Sequence, residues 1–225
     1  MLVEVITVET LAEEIRARLQ ALPHLQTEQI RAVRREFSQR LAKVSPQVIL
    51  ELALQLLQQP GFEHRLVAYE LVCHHRAALR SLGEKELEQL GQGLDSWEAV
   101  DTFACYLAGP AWREGQAPDT LLHHWAQSAD RWWRRAALAS TVALNNKARG
   151  GKGDPARTLA VCRILAGDRD DMVLKALSWA LRELAKRDPA AVQGFMAEYE
   201  PVLAARVKRE VRHKLETGLK SGRRK

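Results

Sequence analysis

Three cysteines, at 73, 105 and 162, are all that the 225 residues contain. An odd number at wide spacing makes no disulfide framework and no Cys-x-x-Cys pair. Each lies in an apolar helical context such as Phe103-Ala104-Cys105-Tyr106-Leu107, so small buried thiols in a reducing compartment are expected. No apolar run approaches the ~18 residues of a membrane span. Met1-Leu2-Val3-Glu4 also lacks the charged-then-apolar order of a signal peptide, so a cytoplasmic protein with no membrane partner is expected. Alternation at the two-residue period of a half-buried strand is absent. No Gly-rich phosphate loop or nucleophile elbow occurs. His74-His75 and His123-His124 lack the i,i+4 geometry of a helical metal pair, so neither a metal nor another cofactor is expected.

What the chain does have is basic charge in patches. Lys and Arg number 34 against 28 Asp and Glu, a formal net charge of +6. Arg31, Arg34, Arg35 and Arg40 fall on one early segment, and Arg131, Arg134 and Arg135 on another. The end reads Lys220-Ser221-Gly222-Arg223-Arg224-Lys225. A polyanion is the natural partner of such patches; the alternative is a solvated face plus a disordered basic tail, which for the last six residues alone is the better account.

Apolar residues recur at three- and four-residue steps almost throughout, which predicts an all-α chain. Breaks are expected at Leu22-Pro23, Ser45-Pro46, Pro60-Gly61, Leu82-Gly83, Gly93-Leu94, Gly109-Pro110, Gly150–Gly153, Gly167-Asp168 and Asp188-Pro189. They leave about ten to twelve helices, one of them opened by Asp95 with Glu98 three positions later. Segments beginning at Glu63, Ala99, Trp133 and Val173 share one pattern, a polar residue followed by a small apolar run. Aligned, they make Arg65, Asp101, Arg135 and Lys175 equivalent, at spacings of 36, 34 and 40 residues. That is the period of two-helix repeats of the HEAT kind, and it predicts an α-solenoid with a concave groove as one domain over 1–219, with a basic tail at 220–225.

Equivalent positions fall on one wall of such a groove, so three cations and one carboxylate would stand in a row. The cations suit a phosphate backbone and the acid does not. Trp97 and Asp101, four residues apart, project from one helix face, and Trp179 stands four residues beyond Lys175. Two indoles can then border one carboxylate. An Asp one turn after a Trp near a helix start is also what cap electrostatics and packing produce. Of the adjacent Trp132 and Trp133, at least one belongs to the core, as do Trp112 and Trp125 at core or edge.

Trp97-Glu98-Ala99-Val100-Asp101, Trp133-Arg134-Arg135-Ala136-Ala137 and Lys175-Ala176-Leu177-Ser178-Trp179 resemble, in order and spacing, the HEAT-like DNA alkylation repair glycosylases of the AlkD type. The resemblance runs from about Gln26 to the C-terminal helix, with Trp-Glu where Trp-Asp is familiar. It implies excision of cationic N3- and N7-alkylpurines from duplex DNA without a flipped-base pocket. It makes Asp101 the catalytic carboxylate, places Trp97 and Trp179 beside the lesion nucleotide, and sets Arg135 against the DNA backbone. Arg134, Lys175 and Arg65 are the further backbone candidates, Arg134 because a one-residue helical shift exchanges it with Arg135. A monomer with no obligate protein partner is expected, nucleoid-associated if the source is bacterial. Two other readings keep the fold: a non-catalytic binder of distorted or branched DNA, and a protein-binding scaffold anchored by Trp and Arg.

Overall fold

The computed structural model describes residues 7–219, and all the regular structure among them is helical. The basic tail expected at 220–225 lies outside the described residues. Two compact units divide between Gln92 and Gly93.

The first unit comprises α1 (Val8–Gln20), α2 (Thr27–Arg40), α3 (Pro46–Leu57), α4 (Phe62–His74), α5 (Arg76–Arg80) and α6 (Glu84–Leu90). Ser45 opens α3, its hydroxyl accepting from the Val48 amide, and Pro46 sits in the first turn, where its missing N–H leaves nothing unpaired. α1 packs on α2 and α3, and both α2 and α3 pack on α4. Leu66 to Val72 of α4 are buried without a gap. A helix enclosed on all sides must satisfy its polar members internally. Accordingly Tyr69 donates its hydroxyl to the Leu90 carbonyl at 3.0 Å, and Glu70 accepts from Arg31 Nε at 2.8 Å and Arg34 Nε at 3.1 Å.

The second unit holds α7 (Trp97–Phe103), a π-turn (Ala104–Ala108), α8 (Gly109–Arg113), α9 (Asp119–Ala126) and α10 (Arg131–Asn145). A 3₁₀ turn (Lys147–Arg149), α11 (Pro155–Ile164), α12 (Asp171–Leu184), α13 (Pro189–Glu198) and α14 (Ala205–Thr217) complete it. α7 and α12 both pack on α10, and α14 packs on α12. Second helices therefore stand side by side, as the repeat spacing predicted. Aspartates set the frame: Asp130 and Asp170 cap α10 and α12, each accepting an amide two residues on at 2.8 Å. Asp154-Pro155 and Asp188-Pro189, 34 residues apart, open α11 and α13, each aspartate accepting an amide three residues on.

Arg135 to Asn145 of α10 are buried without interruption. Ala136, Ala137, Ala139 and Ala143 keep this helix thin enough for neighbours on several sides, and each buried leucine along its seams contributes roughly 1.5–3 kcal/mol. One close approach is at Gly109, where an added Cβ would stand 2.6 Å from both Ala143 Cβ and the Ser140 carbonyl oxygen. Two expectations are corrected here. Gly109-Pro110 is no break, because the π-turn reshapes the backbone ahead of Pro110 and the chain stays helical from Trp97 to Arg113. The cap of α7 is Ser96, not Asp95: Ser96 has extended backbone and its hydroxyl accepts from the Ala99 amide at 3.4 Å.

Candidate functional site

Ser96 fixes the first turn of α7, so Trp97 and Asp101 stand one turn apart on the same face. The π-turn begins three residues after Asp101, a distortion often found beside functional residues. Gly109 then holds this segment close against α10. Across that contact Arg135 meets Asp101 as a fork, Nε donating to Oδ1 at 2.9 Å and Nη2 to Oδ2 at 2.8 Å. The planar guanidinium matches a carboxylate in this way, and the two bonds fix both groups. Arg135 also donates Nη1 to the Met172 carbonyl at 2.6 Å and is only 5 % exposed, so three of its five donors are committed inside the protein.

Asp101 keeps 19 % of its side-chain surface accessible. It faces a cavity of about 990 Å³ that is also lined by Trp97, Arg135, Lys175 and Trp179. Burial pushes its carboxyl above the usual aspartate range, and the Arg135 fork pulls the other way. Glu98 adds to the rise and Arg149 to the opposing pull. Arg149 lies with its guanidinium 4.8 Å from the centre of the Tyr106 ring. Its loop is held by Arg113, which donates to the Ala143 and Arg149 carbonyls, and by Arg187, which donates to those of Asn145 and Gly151.

The arrangement has definite chemical capacity. A carboxylate offers about four lone-pair directions, of which Arg135 occupies two. The remaining directions can orient a water or oppose a developing positive charge, in a site partly shielded from solvent where such effects are strong. Trp97, half exposed, and Trp179 supply π faces at the same cavity.

Five of the seven residues singled out from the sequence thus meet at one cavity, and two do not. Arg134 turns to Asp168 at 2.8 Å and to the Ser128 and Ala129 carbonyls. Arg65 belongs to the first unit, donating to the Tyr69 hydroxyl and the Gln92 carbonyl, each at 3.2 Å. Lys175 lies 2.7 Å from Asp171. The other tryptophans are structural: Trp112 and Trp125 are buried, and Trp133 joins Phe103 and Trp125 in a ring cluster, 4.8 Å from Trp125. Trp132 instead carries the Arg131 guanidinium at 4.9 Å. Cys105 and Cys162 are buried as expected while Cys73 is only half-buried, and Cys105 is pushed up to about 12 by burial, which keeps its thiol protonated and unreactive at neutral pH.

The sequence reading missed the α14 wall, where Arg206, Arg209, Glu210, His213 and Lys214 line the cavity, along with Arg182, Glu183 and Lys186 of and beyond α12. A signal existed: one more step of 34 residues from Lys175 lands on Arg209.

The family model described as DNA alkylation repair enzyme matches residues 23–215. No curated protein matches the chain.

Proposed function

Because the chain belongs to the DNA alkylation repair enzyme family, whose substrate is DNA, we propose that it is a glycosylase that releases cationic N3- and N7-alkylpurines from duplex DNA. The observation that carries this reading is Asp101, a carboxylate fork-bound by Arg135 and open to a cavity between two tryptophans.

Alkylation at N3 or N7 makes the purine a cationic leaving group. Breaking the C1′–N bond returns the bonding pair to the base, which leaves neutral, and puts the positive charge on the sugar as an oxocarbenium-like centre. Little acid assistance is needed. Asp101 opposes the charge on the sugar and orients a water, whose oxygen bonds to C1′ while its proton passes to the carboxylate or to solvent. The products are the free alkylpurine and an abasic site. Trp97 and Trp179 meet the cationic base or sugar with their ring faces, at ~0.5–2 kcal/mol each. Reading the duplex is a matter of shape and backbone charge, so undamaged sequences should bind nearly alike.

One observation favours the non-catalytic alternative, since both Asp101 oxygens already accept from Arg135. Incubating methylated duplex with the protein and identifying the released bases decides between them. N3- and N7-methylpurines are expected, reduced ~100-fold or more in Asp101→Asn, which keeps the volume but not the charge. A folded wild type that binds duplex and releases nothing is a DNA-structure binder. One that binds no duplex is a protein scaffold.

A further inference from the structure

Seven lysines and arginines line the cavity beside three carboxylates, and most of these cations are already held by the protein. Arg135 forks Asp101, Lys175 meets Asp171 at 2.7 Å, and Lys186 meets Glu183 at 2.6 Å. Arg206 bonds both Asp171 at 2.7 Å and Glu210 at 2.9 Å, while Arg182 donates to Ser178 at 3.1 Å with Glu210 at 3.9 Å. A cation with a carboxylate against it presents mostly a dipole to an approaching phosphate. Two residues of α14 differ. Lys214 donates to the Gly218 carbonyl, a neutral partner that leaves its charge uncompensated. Arg209 is exposed, lines the cavity and has no partner among the described residues.

We propose that Arg209, with Lys214 five residues on, is the phosphate anchor of this site and holds a backbone phosphodiester of the duplex at the α14 wall of the cavity. This deepens the glycosylase reading and rests on it. The guanidinium fork matches phosphate oxygens two at a time, and an uncompensated surface cation is the kind that releases a condensed counterion when it binds DNA. The anchor stands on a fixed helix. Val207 and Val211 of α14 are fully buried, and Glu210 accepts from Ser178 of α12 at 2.7 Å, so Arg209 is presented outward from a helix tied to its neighbour. Arg135, whose place in the repeat suggested the same task, is committed to orienting Asp101. The division assigns grip to α14 and chemistry to the α7–α10 contact.

The test is the salt dependence of binding to an undamaged duplex by the full chain and three variants: Arg209→Gln, Arg209→Lys and Arg163→Gln. Arg163 is an exposed arginine of α11 that does not line the cavity, and it supplies the charge-matched control. Each phosphate contact adds about 0.9 to the slope of log K against log salt. Arg209→Gln should lose about that much with its melting temperature unchanged, Arg209→Lys should keep it, and Arg163→Gln should match wild type. An Arg209→Gln slope equal to that of a salt-sensitive wild type overturns the anchor and leaves the glycosylase reading standing. An equal loss in Arg163→Gln overturns it too, since net charge alone would then explain the effect. A wild type that binds duplex with no salt dependence brings down both.

Discussion

Glu70 in the first unit and Asp101 in the second are both carboxylates held by arginines from a neighbouring helix, yet their surroundings differ. Glu70 sits in an enclosed helix and takes one arginine on each oxygen, Arg31 at 2.8 Å and Arg34 at 3.1 Å, with 3 % of its side chain accessible. Asp101 has a single arginine serving both oxygens, and 19 % of its side chain faces a cavity. A buried charge must be paired or folding fails to offset its desolvation, and Glu70 meets that demand twice over. Asp101 meets it once and keeps lone pairs directed at space a substrate can enter. Closure makes the first group part of the fold, and the opening makes the second available for chemistry.

The comparison is most easily broken through stability. Glu70→Ala strands two arginines, one of them buried, and should cost about 3–5 kcal/mol. At about 2–4 °C per kcal/mol for a chain of this size, melting should fall by roughly 6–20 °C. A loss under about 1 kcal/mol would mean that the Glu70 cluster is no more closed than the Asp101 one. Asp101→Asn should do the reverse, lowering base release ~100-fold while melting much closer to wild type than Glu70→Ala does, because Asn retains an acceptor for Arg135. Duplex affinity should hold or rise, as a negative charge beside phosphates is removed.

Arg135→Gln sharpens the comparison through pH. Burial holds the Asp101 carboxyl above its ordinary range and Arg135 lowers it. Without the arginine the carboxyl rises further. The proposed reaction needs the ionised form, so activity should be lost at a higher pH as the solution is acidified, and recover as pH is raised. An acid limb unmoved in the pH–rate profile would show that Arg135 does not hold the carboxylate. The smallest effect belongs to Trp97→Ala. At 50 % exposure its indole contributes about 0.5–1 kcal/mol to a cation, so release should slow by about 2- to 5-fold with no change in melting. A change in melting temperature would move Trp97 from the cavity to the core.

Much of this was legible because helices repeat themselves in sequence. The 34-residue step from Asp101 to Arg135 is a physical contact, since equivalent positions on adjacent parallel repeats face one another, and the shared pattern around Lys175 marked the next helix of the row. The α14 wall was harder to read. Its segment Arg206-Val207-Lys208-Arg209-Glu210, four charged residues around one valine, looks like any solvated helix until the helix it packs on is known. The π-turn after Asp101 left no signature apart from Gly109-Pro110, which as a local signal means a break.

By itself, then, the sequence determined the helical class, the repeat period, and the identity of Asp101, Trp97 and Trp179 as candidates, because apolar periodicity and residue spacing are carried by the chain alone. Only the tertiary structure decided how the arginines are used. Arg34, Arg134, Arg135 and Arg209 are the same side chain in similar helical contexts. Which one closes a core, ties a loop, orients a carboxylate or has no partner among the described residues depends on which acid or carbonyl the neighbouring helix brings within about 3 Å, and a hydrogen bond is decided at that distance and not along the chain.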